Sequence, residues 1–123
     1  MSKIERFLIN LGLTFEEVDE NTWIINDEKS GLEQILVFLE EPLIIIRINV
    51  TTLPDRNNEE FYKTLLILNA NDLVHGAYAI SDNEVILIDT LQYETIDIEE
   101  FQASLDSIGL AMIEHYPILS KFR

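Results

Sequence analysis

The chain has 123 residues and a formal net charge of −15, because 23 acidic residues face only eight basic ones. This length fits one domain, and a hydrophobic content of 47% is enough for a packed core, which argues against disorder. The negative charge disfavours binding to nucleic-acid backbones and to anionic membranes, since both would repel it. We therefore expect a soluble protein whose partner, if charged, is basic.

Cysteine is absent, which excludes disulfide frameworks and zinc sites built on thiolates. The first residues, MSKIERFLINLGLTF, are interrupted by Glu5, Arg6 and Asn10, unlike the apolar core of a signal peptide. No apolar run is longer than five residues, and runs such as Leu43 to Ile46 are far too short to cross a membrane. These features predict a cytoplasmic location.

The first predicted element is a helix over residues 3–11. Ser2 and Glu5 form an S-x-x-E capping pattern at its start. Apolar residues then recur at helical spacing, and Gly12 suits the left-handed conformation that often ends a helix.

Three strands are predicted next, over Thr22–Asn26, Gln34–Leu39 and Ile44–Thr51, with a weaker strand signal at Phe15–Val18. Glu40, Glu41 and Pro42 form the turn before the third strand. Along that strand, alternation predicts one buried face, made by Ile44, Ile46, Ile48 and Val50. The opposite face begins apolar at Ile45 and becomes polar at Arg47 and Asn49, so we expect it to be only partly covered.

The second half of the chain predicts a helix, a hairpin and a long last helix. Asn57 and Glu60 offer caps for a helix over about 58–70. The hairpin pairs Gly76–Ile80 with Val85–Leu91. Asp97 and Glu100 cap the last helix, and Pro117 is predicted to end it.

This order of elements predicts the fold class. Short turns join most of the strands, which favours an antiparallel sheet, and three amphipathic helices must bury their apolar sides on it. We therefore predict an α+β domain over residues 1–123, with about five antiparallel strands and three helices in the order α-β-β-β-α-β-β-α.

The residues that usually carry chemistry form no recognisable motif. His75 and His115 stand in different elements and begin no metal-binding pattern, so His115 is interpreted as a favourable residue near a helix end. Adjacent carboxylates such as Glu59-Glu60 and Glu99-Glu100 fall in helix first turns, where they complement the helix dipole. Nucleophile-elbow and phosphate-loop motifs are absent. We expect no catalysis, no metal and no cofactor.

Several segments resemble the YbjN-like family, which shares the type III secretion chaperone-like fold. They are TWIIN before two long strands, LLILNAN at the end of the second helix, HGAYAI leading into the hairpin, and the last helix FQASLDSIGLAMIEHYP. The resemblance covers nearly the whole chain. It implies a non-catalytic protein that dimerises and holds segments of a client protein in extended form.

The second helix carries more apolar residues than one buried face needs. Phe61, Leu65 and Leu68 share one side, whereas Tyr62, Leu66 and Ile67 spread around the helix. We therefore predict a homodimer, and an interaction surface that includes Tyr62, Leu66, Ile67 and Ile45. An alternative function is a small acidic immunity or inhibitor protein that blocks a basic toxin or enzyme.

Overall fold

The computed structural model describes residues 2–56 and 58–122. Within them, three helices and six strands follow the order α-β-β-β-β-α-β-β-α. The predicted cap at Asn57 lies outside the described residues. The elements are α1 (Lys3–Asn10), β1 (Phe15–Asp19), β2 (Thr22–Asp27), β3 (Leu32–Glu40), β4 (Leu43–Thr52), α2 (Asn58–Asn71), β5 (Ala77–Ser81), β6 (Glu84–Gln92) and α3 (Ile98–Leu119). Short 3-10 turns occupy Glu28–Ser30 and Ser120–Phe122.

All six strands form one antiparallel sheet in the order β1-β2-β3-β4-β6-β5. The predicted α+β class and the antiparallel pairing are confirmed, but the sheet has six strands rather than about five. The additional strand is β1, which has only a weak sequence signal because its residues FEEVD are mostly charged. It forms because a tight turn brings it back against β2, where Glu17 stands opposite Trp23.

One face of the sheet, called here the helix face, carries the core. Three buried side chains are cross-strand neighbours on this face: Trp23 of β2, Val37 of β3 and Ile46 of β4. The helices add buried side chains to the same cluster, among them Leu8 of α1 and Leu65 of α2. The buried side chains of the helices are Ile4, Leu8, Phe61, Leu65, Leu68, Phe101, Ser104, Leu105, Ile108, Ala111, His115 and Leu119. The protein therefore has two layers, helices over sheet.

The predicted helix boundaries hold at both capped starts. The Ser2 side chain accepts a hydrogen bond from the Glu5 backbone N–H at 3.1 Å. Asp97 and Glu100 form a complete capping box at the start of α3. At the end of α1, Gly12 has φ +70°, the left-handed conformation that its lack of a side chain permits.

The prediction that Pro117 ends the last helix is wrong. The helix continues through Pro117 to Leu119, and the Ser120 backbone N–H bonds to the Tyr116 carbonyl beyond it. Proline removes one N–H, so the carbonyl of Ile113, four residues earlier, loses its helical partner. Since Ile113 is 70% exposed, water can solvate that part of the helix and the interruption is tolerated.

At Tyr78, the outer edge of β5 is occupied by a side chain of α2. The Asn69 amide accepts a hydrogen bond from the Tyr78 backbone N–H at 2.7 Å and donates one to the Tyr78 carbonyl at 3.2 Å. These are the two backbone groups that a neighbouring strand would otherwise satisfy. The opposite edge, β1, is solvent-facing, with Glu16, Glu17 and Asp19 exposed.

Candidate functional site

The second face of the sheet is the first candidate surface. Side chains that alternate with the core residues point to it, and the strand register aligns Ile24, Leu36, Arg47 and Ile88 in one row across β2, β3, β4 and β6. Phe38 and Ile45 face each other in the next row. The apolar side chains Ile24, Leu36, Phe38, Ile45 and Ile88 are called here the open face.

No described helix covers the open face. Each of its apolar side chains is only partly buried, and none belongs to the core cluster or packs against it. Ile86, which shares this face, is buried but also stands outside the core cluster. An antiparallel sheet often leaves one face to water, but that face is then usually polar. An apolar second face is instead typical of a surface that contacts another chain.

The predicted interaction residues fall on two separate surfaces. Tyr62, Leu66 and Ile67 lie on the outer side of α2, with exposures of 37%, 68% and 48%. These three residues are called here the α2 patch. Ile45 lies instead on β4, in the open face, so the structure does not bring it together with the α2 patch.

A third apolar surface was missed by the sequence reasoning. Leu110, Ile113 and Tyr116 are exposed at 56%, 70% and 62% along the outer side of α3, and are called here the α3 patch. Their spacing of three residues is itself a helical signal. It was overlooked because the buried stripe on the same helix, which includes Leu105 and Ile108, explains most of its apolar residues.

The buried histidine joins three elements. His115 Nδ1 lies 2.6 Å from the Tyr78 hydroxyl, and His115 Nε2 lies 3.3 Å from an Asp72 carboxylate oxygen. One tautomer satisfies all three groups: Tyr78 donates to Nδ1, and the Nε2 proton is donated to Asp72. His115 lies near the end of α3, as predicted, but its side chain is buried and hydrogen-bonded. It is 2% exposed and links α3 to β5 and to the end of α2.

This arrangement favours structure over catalysis. Burial raises the pKa of the Tyr78 hydroxyl well above its usual range, and the negative charge of Asp72 raises it further. The phenol therefore stays protonated at neutral pH, where it can donate its hydrogen bond but cannot serve as a nucleophile or base.

A buried carboxylate secures the turn between β2 and β3. Asp27 accepts hydrogen bonds from the Ser30 hydroxyl at 2.6 Å, from the Ser30 N–H at 3.1 Å and from the Thr14 N–H at 3.2 Å. The Ser30 side chain, followed by the Thr14 backbone, holds the pKa of Asp27 below its usual value. These bonds fix the turn to the segment that follows α1, again a structural task.

The structure offers no convincing site for a metal or cofactor among the residues it describes. No group of three or more His, Asp or Glu side chains converges there. A cleft of about 650 Å³ lies between the segment after β4 and the end of α3. Its polar side chains, including Arg56 and Lys121, are exposed or half-buried. It thus lacks the buried polar groups that typically orient a bound cofactor.

No helix in the described ranges has the length and apolar character to span a membrane.

Known structures share this architecture. YbjN, a putative transcription regulator from E. coli, matches with a TM-score of 0.69 and 16% identity over 93% of this chain and 89% of its own. SycH, a type III secretion chaperone from Yersinia pestis solved with a fragment of YscM2, matches with a TM-score of 0.63 and 16% identity, over 89% and 93%. The HopA1–SchA chaperone–effector complex matches with a TM-score of 0.66 and 8% identity, over 89% and 86%.

At these identities the structural likeness shows the fold alone. No curated protein matches the chain in sequence. The sequence model of the CesT_Tir_1 family, a family of type III secretion chaperones, matches residues 1–123. The resemblance to the YbjN-like and secretion-chaperone fold is thus confirmed, and the chain belongs to the CesT_Tir_1 family.

Proposed function

We propose that this chain is a non-catalytic protein that binds an extended segment of a partner protein on its open face. The observation that carries the proposal is the group of apolar side chains on a sheet face that no described helix covers. Family membership supports it, as do the solved complexes in which proteins of the same fold hold a protein partner.

The geometry of the sheet suits an extended segment. A strand-like segment directs alternate side chains to one side, so its apolar residues would meet Ile45, Phe38 and their neighbours while its polar residues remain in water. Apolar surface removed from water contributes about 25 cal/mol per Å². This term favours binding and must exceed the cost of ordering the segment.

Site-specific crosslinking tests this proposal. A photoreactive benzoylphenylalanine in place of Ile45, expressed in the native host, is expected to link to one short stretch of a partner. The matched control places it at Val74, which is 84% exposed beyond the end of α2, and should give no such product. Crosslinks from residue 45 to several distant stretches of one folded protein would instead favour the inhibitor function. Equal labelling at both positions would contradict the proposal.

Self-association is the second part of the proposal. The α2 patch is exposed on the outer side of a helix whose inner side is already buried, so it is free to meet a second copy without hiding the open face. The net charge of −15 repels a second copy, and salt screens that repulsion. We therefore expect a homodimer that strengthens with ionic strength.

Sedimentation at micromolar concentration and two salt levels tests the dimer. Leu66→Glu places a charge in the α2 patch and is expected to give monomers. Leu110→Glu, on the comparably exposed α3 patch, is the matched control and should leave the dimer intact. Dissociation by Leu110→Glu alone would move the interface to α3, and a monomeric wild type at both salt levels would remove the dimer.

A further inference from the structure

Within the described residues, Arg47 is the only Lys or Arg in the six strands, and it lies on the same side of the sheet as the open face. Arg47 stands between Leu36 of β3 and Ile88 of β6 in the cross-strand row, and Ile45 and Asn49 precede and follow it on the same side of β4. Its immediate neighbours are therefore mainly apolar, and the residue is half-buried among them. A guanidinium in this position is partly withdrawn from water.

Arg47 has no ion-pair partner within residues 2–56 and 58–122, although the chain is rich in carboxylates. The acidic residues on the same side of the sheet lie at its margins. Glu16 ends the row three strands away, and Asp19 stands at the end of β1. Glu40 and Glu84 stand at the ends of β3 and β6. A carboxylate supplied from outside could therefore reach the guanidinium without displacing an existing pair.

We propose that Arg47 selects the segment bound on the open face by pairing with a carboxylate that the segment carries between apolar residues. This inference rests on the proposed function and adds the chemistry of the partner. Guanidinium and carboxylate form two parallel hydrogen bonds, and apolar surroundings strengthen the pair relative to one in open water. The chain as a whole favours basic partners, so the acidic contact is a local requirement at one position of the segment.

The spacing of the recognised motif follows from the sheet. In an extended segment, side chains two positions apart face the same way. A carboxylate placed over Arg47 would therefore have apolar residues two positions before and after it, directed to the surrounding side chains of the open face. The residues between them face solvent, so any residue type is expected at those positions of the segment.

Selection from a phage-displayed library of random 12-residue peptides, with the full chain as the target, tests the inference. The selection is run at about 0.15 M salt, where charges more than about 8 Å apart are largely screened from one another. Peptides recovered on the wild type are expected to share Asp or Glu flanked at two-residue spacing by apolar residues. The best peptide, labelled with fluorescein, should bind about tenfold more weakly, or about 1.4 kcal/mol, when that residue becomes Gln or Asn.

Variants of the protein separate the contribution of Arg47 from that of the apolar surface. Arg47→Met keeps a long apolar side chain but removes the guanidinium charge. This variant should therefore bind the acidic peptide and its Gln or Asn form with equal affinity. Arg56→Met, which removes an exposed arginine from the segment after β4, should keep the tenfold preference. Circular dichroism confirms that both variants fold.

Each outcome decides one question. Recovery of apolar peptides without an acidic residue, or a preference that survives in Arg47→Met, overturns the role of Arg47 and leaves the proposed function standing. Recovery of no peptide at all counts against the proposed function and overturns the inference with it. Loss of the homodimer in Arg47→Met would show that a second copy occupies the open face, which also overturns it.

Discussion

Replacing Tyr78 with Phe tests whether the buried histidine holds three elements together. The substitution keeps the ring and removes only the hydroxyl, which lies 2.6 Å from His115 Nδ1. His115 is 2% exposed, so its acceptor nitrogen would be left without a partner in a place that water reaches poorly. A buried polar group that loses its partner costs about 1–3 kcal/mol, and we expect this loss in the free energy of unfolding.

The sign of the pH dependence follows from the raised pKa of Tyr78. A tyrosine in the unfolded chain ionises near pH 10, whereas the buried phenol holds its proton. The stabilisation by Tyr78 is therefore fully present below about pH 10 and is lost as the pH rises above it, by about 1.4 kcal/mol per pH unit. The Phe variant lacks this loss, so the difference between the two proteins should shrink at pH 11.

Urea unfolding followed by the fluorescence of Trp23, the single and buried tryptophan, measures both effects. Tyr62→Phe is the matched control, because its ring is 37% exposed and the change should stay within about 0.5 kcal/mol. A loss below about 0.5 kcal/mol for Tyr78→Phe, or a difference from wild type that is the same at pH 8 and pH 11, would refute the reasoning.

Three further predictions concern the core, a glycine and metal. Ile46→Ala and Leu105→Ala remove fully buried side chains and should each cost about 2–5 kcal/mol in urea unfolding; near-neutral values at both would contradict the assigned core. Gly76→Ala forces φ +82° on alanine and brings its Cβ to 2.9 Å from the Ile88 carbonyl oxygen, so it should cost more than Gly31→Ala, whose site is open; an equal cost would exclude the clash. Chelator should leave the thermal midpoint unchanged, and a drop of more than a few degrees would reveal a structural metal.

The features that local sequence specifies were predicted well. Asp97 and Glu100, three residues apart, were enough to predict the start of α3. The alternation around Ile44 and Ile46 was enough to predict the buried side of β4. Pro117 was misjudged because its effect depends on whether the carbonyl of Ile113 meets water, which is decided by the packing of the whole helix.

The candidate site depended more on tertiary structure. Ile45 could be placed on the less covered side of its strand, but the neighbours of Arg47 come from strands that only the register aligns. The partners of His115 lie 37 and 43 positions earlier in the chain, and no local pattern links them.

The Asn69 amide on β5 also limits how copies of this protein can join. Strand-to-strand growth needs two free edges on every copy, and here one of them is blocked at Tyr78 by a side chain of the same molecule. Two chains could still meet through their β1 edges, but that pairing would use the remaining edge of each and stop. Asn69 therefore opposes strand pairing at β5 and favours an arrangement of two copies over a longer one. Asn69→Ala would remove that obstacle to an open-ended fibre.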